Sequence, residues 1–233
     1  MSGMGKNIQS GNTVGQNTTN SARESSVGNF SENGYLILKN LVTDPALAFL
    51  YEYASKAAEF GKGRLDDEQA PNTPSWYGDA IMESLLEALL PRLEIETGIK
   101  LYPTYAYFRV YKHGDILKRH TDRPACEVSV TLSIGYTGNE SWPIWIEQSG
   151  VARSFALEPG DALIYKGVQL PHWRDSFSGE RAAQVFMHYV DRNGPFREWR
   201  LDKRTSLAST PISRQILNGL GFMYGNIQPA RQE

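Results

Sequence analysis

The stretch Lys118-Arg119-His120-Thr121-Asp122-Arg123 places an imidazole and a carboxylate two positions apart. The pattern around it predicts a β-strand over residues 116–122. Successive side chains of a strand point to opposite faces, so His120 and Asp122 are expected to project side by side into one cavity. One further imidazole would complete a set of two histidines and one carboxylate, which holds Fe(II) and leaves neighbouring coordination positions open.

Of the four histidines in the chain, His172 is the best candidate for this third ligand. His113 lies in the turn His113-Gly114-Asp115, which predicts exposure to solvent. His188 falls in the last predicted strand, where it alternates with Phe186 and Gln184. A His-x-Asp pair alone is more often a structural ion pair or a turn than a metal site, so the hypothesis depends on the residues that follow.

Composition restricts the class of protein. A chain of 233 residues with 40% hydrophobic content can bury the core of one domain. A formal net charge of −2 gives no overall electrostatic reason to bind nucleic acid or an anionic membrane. The single cysteine, Cys126, excludes an internal disulfide framework and suits a reducing cytosol. Because no apolar run resembles a signal peptide or a bilayer span, we expect a cytoplasmic protein.

The order of the predicted elements indicates an α+β protein. Residues 1–28 are rich in Gly, Ser, Asn and Thr, which predicts a disordered leader. A helix capped by Thr43 and Asp44 is expected to run to about residue 60, and a second from about residue 79 to Gly98, kinked or broken at Pro91. Short strands follow, which predicts a barrel or jelly-roll core. Their expected ranges are 103–112, 116–122, 127–136, 143–147, 152–157, 162–165 and 181–190.

The boundaries of the chain are assigned from the same pattern. We expect one domain over residues 29–195 and a C-terminal extension over 196–233 that packs on or caps the domain, with a short helix near 212–220. A tail that binds a partner is the alternative for this extension. The oligomeric state is left open.

Arg181 stands nine residues after His172, at the start of the last predicted strand. A dianionic keto acid that chelates a metal through its 1-carboxylate and 2-keto oxygen needs a cation at its far carboxylate. The planar fork of a guanidinium can pair with both oxygens of that carboxylate. The apolar residues that follow Arg181 predict an inward position, and a surface charge after Gly179-Glu180 is the alternative.

The ordered set His120-x-Asp122, His172 and Arg181 resembles the Fe(II)- and 2-oxoglutarate-dependent dioxygenases, and the prolyl-4-hydroxylase-like branch most of all. Tyr111 and Gly114, and the run Pro159-Gly160-Asp161-Ala162-Leu163-Ile164-Tyr165, are also similar to that family. The resemblance covers about residues 100–190 closely and the part from Gly34 more loosely. It implies a double-stranded β-helix with the N-terminal helices packed on one sheet. It also implies one Fe(II), 2-oxoglutarate and O₂ as co-substrates, succinate and CO₂ as products, and ascorbate as a candidate reductant.

The resemblance also assigns roles to individual residues. Metal ligands would be His120, Asp122 and His172, and Arg181 would bind the far carboxylate of 2-oxoglutarate. Tyr111 is expected to contact the co-substrate, although it stands one residue closer to the metal histidine than the tyrosine of the family. Hydroxyl contacts from Ser129 and Thr131 are expected, with a core-lining role as the alternative. Candidate substrate contacts are Arg123, Tyr136, Trp142 and Trp173.

The expected activity is hydroxylation of a C–H bond, because Asp122 occupies the position that halogenases of this family leave open for halide. A peptide substrate of the prolyl type is the first expectation, and a small metabolite or free amino acid is the alternative. Nucleic acid is not expected as a partner, because the demethylase branch carries a second arginine where this chain has Met187. A non-catalytic cupin-like binding module and a zinc hydrolase are the competing interpretations.

Overall fold

The computed structural model describes residues 30–138 and 141–208, and its fold is built from ten strands and two long α-helices. Helix α1 spans Ala46–Phe60 and helix α2 spans Ala80–Thr97. The strands are β1 (Tyr35–Leu38), β2 (Ser75–Tyr77), β3 (Leu101–Lys112), β4 (Leu117–His120), β5 (Val128–Thr137), β6 (Ile144–Gln148), β7 (Val151–Phe155), β8 (Ala162–Tyr165), β9 (His172–Arg174) and β10 (Arg181–Asp191).

The strands form two antiparallel sheets. The larger sheet has the order β1-β8-β5-β10-β3-β2, and the smaller sheet has the order β4-β9-β6-β7. Apolar residues of α1 and α2, including Leu50 and Leu86, share one core cluster with Val130 of β5 and Val185 of β10. The α+β prediction, a double-stranded β-helix with the helices packed on one sheet, is confirmed.

The alternation predicted for β5 separates two environments. Val128, Val130 and Leu132 belong to the cluster beneath the helices. The hydroxyls of Ser129 and Thr131 instead contact polar groups between the two sheets. Because a strand has a side-chain period of two, one face of β5 serves the core and the other serves the space between the sheets.

Helix α2 follows the sequence prediction at both ends. The Asp79 carboxylate accepts hydrogen bonds from the amides of Ile81 and Met82, and Gly98 ends the helix with φ 72°. The helix continues through Pro91, so the predicted break is wrong. Leucines on either side of this proline are buried in the core, and such packing supplies most of the stability of a helix in a protein.

Helix α1 begins without the predicted cap. Its N-cap position is Pro45, and no side chain of that position accepts a hydrogen bond from the first turn. Thr43 contributes its backbone carbonyl to the amide of Leu47 at 3.1 Å instead. The prediction that Thr43 and Asp44 cap this helix through their side chains is therefore wrong.

The C-terminal segment, residues 196–208, packs on the domain. Glu83 of α2 is fully buried, and its carboxylate accepts hydrogen bonds from Arg204 Nη2 at 2.5 Å and from the amide of Ala208 at 2.6 Å. Leu207 is buried in the main core cluster. The expected leader over 1–28 and the expected helix near 212–220 lie outside the described residues. Within the described ranges, no helix combines the length and hydropathy needed to cross a membrane.

We expect the Leu86→Ala variant to lose about 2–5 kcal/mol of unfolding free energy, because Leu86 is fully buried between helix and sheet and its removal leaves a cavity. Urea unfolding followed by circular dichroism measures the change. Leu65→Ala is the matched control, since Leu65 is 64% exposed and its truncation should change stability by less than about 0.5 kcal/mol. Equal losses in the two variants would contradict the packing described.

Candidate active site

His120, Asp122 and His172 converge between the two sheets. His120 ends β4 and lies opposite His172, the first residue of β9. The Nε2 atom of each imidazole lies 3.6 Å from Asp122 Oδ1. Strand β4 ends at His120, so the prediction that Asp122 lies within the strand is wrong. Beyond the strand, the Asp122 amide donates to Gly167 O at 2.9 Å. This contact fixes the backbone so that the Asp122 carboxylate lies beside both histidines.

Backbone carbonyls determine which nitrogen of each imidazole faces the carboxylate. Nδ1 of His120 lies 2.7 Å from Lys118 O, and Nδ1 of His172 lies 2.9 Å from Leu170 O. A carbonyl oxygen only accepts, so a neutral ring carries its proton on Nδ1 and leaves the Nε2 lone pair directed towards Asp122. An ion about 2 Å from each ligand atom spans such separations. The three residues therefore fit a divalent metal ion.

The protonation states also suit metal ligands. Burial raises the pKa of Asp122, but the neighbouring His120, His172 and His188 lower it by more, so its pKa lies well below the usual range. Burial lowers the pKa of His172 and outweighs the opposing effect of Asp122, so this ring can bind a metal without releasing a proton. Burial also lowers the pKa of His120, but Asp122 and the Lys118 carbonyl raise it by more, so a metal would displace a proton from this ring.

Ser129 orients the metal carboxylate. Its hydroxyl donates to Asp122 Oδ2 at 2.7 Å, which gives it a role different from the predicted contact with the co-substrate. Gly167 leaves space for the same carboxylate, because a Cβ added there would overlap Asp122 Oδ2. Hydrogen bonds that fix a ligand in this way commonly tune the affinity of a metal site.

A buried guanidinium lies deeper between the sheets than the three ligands. Arg174 follows His172 by two residues on β9, so both face the same side. It is 1% exposed, its Nη2 lies 3.5 Å from Thr131 Oγ1 and 3.4 Å from Gln184 Oε1, and its Nε has no hydrogen-bond partner. Burial lowers the pKa of Arg174 to about 10, so it remains protonated at neutral pH.

No carboxylate of the described residues forms an ion pair with Arg174. Burying a charge without a partner is costly, so this position is suited to the carboxylate of a ligand. Tyr111 adds a second polar group nearby, since its hydroxyl is buried without a hydrogen-bond partner. Burial raises the pKa of Tyr111 to about 12, so the phenol keeps its proton and can donate. Tyr111 and Thr131 thus both lie close to the buried guanidinium of Arg174.

The inward position predicted for Arg181 is wrong. Arg181 is exposed as the first residue of β10. Ala182 belongs to the cluster between the sheets and Ala183 to the cluster beneath the helices, so the period of two places Arg181 on the side of Ala183. Met187 also lies beneath the helices and outside the cavity. The residue at this position therefore does not bear on whether the cavity binds nucleic acid. The deep guanidinium belongs to Arg174 instead.

Comparison with known proteins identifies the fold. No family model and no curated protein matches the sequence. A prolyl-4-hydroxylase from Pseudomonas putida superposes with a TM-score of 0.62 at 14% identity, over 73% of this chain and 100% of the other. A prolyl hydroxylase from Trichoplax adhaerens, in complex with a hypoxia-inducible-factor peptide fragment, gives 0.60 at 16% identity over 82% and 99%. The chain has the fold of the 2-oxoglutarate- and iron-dependent oxygenases.

The oxygenase fold is compatible with more than one reaction. The non-haem α-ketoglutarate-dependent epimerase SnoN from nogalamycin biosynthesis superposes with a TM-score of 0.62 at 13% identity, over 74% of this chain and 84% of the other. Identities of 13–16% establish the fold of this chain and leave its reaction to be argued from its own residues.

The four expected substrate residues occupy four different places in the oxygenase fold. Trp142 lies at the deep end, where the Arg174 guanidinium stands 5.0 Å from the ring centroid. The Tyr136 hydroxyl donates to Glu158 at 2.7 Å on the exposed edge. Trp173 lies on the face of β9 opposite to His172, so it does not line the metal cavity. Arg123 alone of the four lines the cavity beside Asp122.

That cavity has a volume of about 820 Å³ and contains residues that sequence reasoning missed. Its walls include His188, Trp199 and Asp202, together with the loop of residues 64–69. Arg123 binds Asp202 through two hydrogen bonds of 2.7 and 2.8 Å, which brings the C-terminal segment to the residue next to the metal carboxylate. No local pattern indicates this contact, because 79 residues separate its two partners.

The convergent ligand set predicts that His172→Ala loses metal. After anaerobic loading with Fe(II) and desalting, we expect about one equivalent in the unaltered protein. Changes to residues around metal ligands cost about 10–100-fold in metal affinity. Because His172 would itself be a ligand, we expect its variant to lose more than this. His113→Ala is the control, because His113 contacts Ser178 O in an exposed turn. Retention of the full equivalent by His172→Ala would contradict the assignment.

The position of Arg174 predicts how a keto acid binds. We expect Arg174→Met to weaken the binding of the inert analogue N-oxalylglycine by about 10- to 100-fold, as expected for the loss of hydrogen bonds to a charged group. Anaerobic calorimetry on the metal-loaded protein measures this. Arg181→Met should bind within about twofold of the unaltered protein, and the reverse order of the two variants would restore Arg181 to the site.

Proposed function

We propose that this protein is an Fe(II)- and 2-oxoglutarate-dependent oxygenase that hydroxylates a C–H bond of its substrate. One observation carries the proposal. The Nε2 atoms of His120 and His172 converge on the ionised Asp122 carboxylate, and the buried guanidinium of Arg174, which has no carboxylate partner among the described residues, lies two positions after His172 on the same face of β9. A metal chelator with a second anionic end satisfies both features at once.

Each residue of this chain has a defined task in the proposed reaction. His120, Asp122 and His172 would hold the iron with a combined charge of about +1, which favours a dianionic chelator and leaves coordination positions open. Arg174 would pair with the far carboxylate of 2-oxoglutarate, and the hydroxyls of Tyr111 and Thr131 would add hydrogen bonds.

When bound, the iron, O₂ and 2-oxoglutarate supply the oxidising chemistry, with succinate and CO₂ as products. The remaining task of the protein is to position the C–H bond and to exclude water. Trp142 and Phe177 contribute to exclusion, since both are buried at the deep end. Asp122 completes the ligand set and leaves no vacant carboxylate position for a halide, which supports hydroxylation over halogenation.

The substrate belongs to the proposal as well. Peptidyl hydroxylation of the prolyl type was the first expectation from the sequence. The C-terminal segment and the loop of residues 64–69 contribute walls to the cavity beside Asp122, which favours the alternative, a small molecule.

Turnover tests the reaction class. With Fe(II), O₂ and 2-oxoglutarate, we expect succinate to form slowly without substrate and faster with it, and His120→Ala to abolish both rates because the metal is lost. His113→Ala serves as the control, and parallel reactions with and without ascorbate test its expected role as a reductant. Full succinate formation by His120→Ala would reject the proposal.

Product mass separates the competing reactions. A hydroxylated product gains one oxygen atom, whereas an epimerised product keeps its mass. A protein that binds N-oxalylglycine but forms no succinate would be the non-catalytic module.

A further inference from the structure

His188 lines the cavity beside Asp122 and carries a buried ring nitrogen without a hydrogen-bond partner. The residue is 3% exposed, and its ring lies 4.7 Å from Tyr105 and 5.7 Å from Tyr107 between ring centroids. Its Nδ1 lies 2.9 Å from Ser129 Oγ, whereas its Nε2 is buried without a hydrogen-bond partner. A buried polar atom without a partner costs free energy, so this nitrogen calls for a specific explanation.

The proton positions follow from the chain of contacts behind this ring. Ser129 has one hydroxyl proton, and the ionised Asp122 carboxylate, 2.7 Å away, can only accept it. Ser129 Oγ must then accept the Nδ1 proton of His188. Burial lowers the pKa of His188 to about 4, so the ring is neutral. A neutral ring with its proton on Nδ1 carries a lone pair on Nε2, and this atom can only accept.

Each arginine that lines the same cavity forms an ion pair with a carboxylate. Arg109 pairs with Asp67, and Arg123 pairs with Asp202 at 2.7 Å. Arg64 pairs with Asp66 at 2.6 Å. Each guanidinium in the wall therefore already has a carboxylate partner. The cavity offers no unpaired cation for an acidic substrate, whereas the lone pair of His188 requires a donor.

Aromatic side chains provide the remaining lining near this nitrogen. Tyr105 and Tyr107 flank the His188 ring, and Trp199 of the C-terminal segment lines the same cavity. Aromatic faces attract ammonium groups and pack against the apolar faces of saturated rings. The volume of about 820 Å³ lies within the range of sites for small molecules.

We propose, on the basis of the proposed function, that this cavity binds a small molecule through an O–H or N–H donor and that His188 Nε2 accepts that hydrogen bond. Hydrogen bonds through Ser129 hold the His188 ring at a fixed distance from the metal ligand Asp122. A substrate bound to His188 therefore presents a defined carbon to the metal. The substrate class is a hydroxylated or amine-bearing small molecule rather than an acid.

Nitrogen NMR of the ¹⁵N-histidine-labelled protein, loaded with Zn(II) and 2-oxoglutarate, tests this without turnover. We expect His188 to carry its proton on Nδ1 in the free protein. The Nε2 signal should move upfield on addition of glucosamine, glucose or cyclohexylamine at high millimolar concentration. Glucose and cyclohexylamine distinguish a hydroxyl donor from an ammonium donor. Cyclohexanecarboxylate, which has no hydrogen-bond donor when ionised, should leave the signal in place.

A resting ring protonated on Nε2, a shift only with the carboxylate, or no shift with any donor probe would each overturn this inference. None of these results concerns succinate formation, so they are distinguishable from failure of the proposed function.

Variants of His188 provide the second measurement. His188→Phe keeps a ring between Tyr105 and Tyr107 and removes the acceptor, whereas His188→Gln restores an acceptor at the end of the side chain. The KM is measured for whichever of the donor probes above stimulates succinate formation, with rates expressed per bound iron. We expect His188→Phe to raise this KM about tenfold or more, and His188→Gln to reverse part of the increase. His113→Phe is the control for a histidine outside the cavity. An unchanged KM in His188→Phe would reject the contact.

Discussion

The ionised carboxylate of Asp122, held between the imidazoles of His120 and His172, is the interaction on which the rest of the site depends. Burial alone favours the protonated acid, and the surrounding histidines and the Ser129 hydroxyl reverse that preference. The nearby backbone serves the same arrangement, because carbonyl oxygens two residues earlier accept a hydrogen bond from Nδ1 of each imidazole. The groups are thereby preorganised for a cation before one arrives.

A second constraint is the guanidinium of Arg174, which is buried without a counter-ion among the described residues. Removing such a charge from water costs several kcal/mol, and an anionic ligand offsets this cost. Two residues along a strand span about 6.6 Å, so in the proposed function the spacing between His172 and Arg174 would limit the length of the ligand. A five-carbon keto diacid would suit this spacing, which supports the proposal over a longer or singly charged acid.

The substrate side is built by parts of the chain that are distant in sequence. The C-terminal segment reaches the cavity through Asp202, which accepts hydrogen bonds from Arg123 and Tyr77. Leu201, Asp202 and Lys203 have φ of 54°, 53° and 60°, a left-handed conformation that costs non-glycine residues about 1–2 kcal/mol each. Such strain persists where surrounding contacts over-determine the backbone, as at ligand clamps. Here the contact with Arg123 holds Asp202 next to the Asp122 carboxylate.

By itself, the sequence determined the fold class, the approximate bounds of both helices and the candidate ligand set, because periodicity, capping and side-chain chemistry are local properties. The alternation of β5 could likewise be predicted, with valines on one face and hydroxyls on the other. The face that Arg181 occupies could not, because it depends on which side of β10 packs beneath the helices, and pairing with the distant strands β3 and β5 decides this. The deep guanidinium of Arg174, the orphan acceptor of His188 and the contact between Arg123 and Asp202 were decided only by tertiary structure, since each depends on groups that distant pairings bring together.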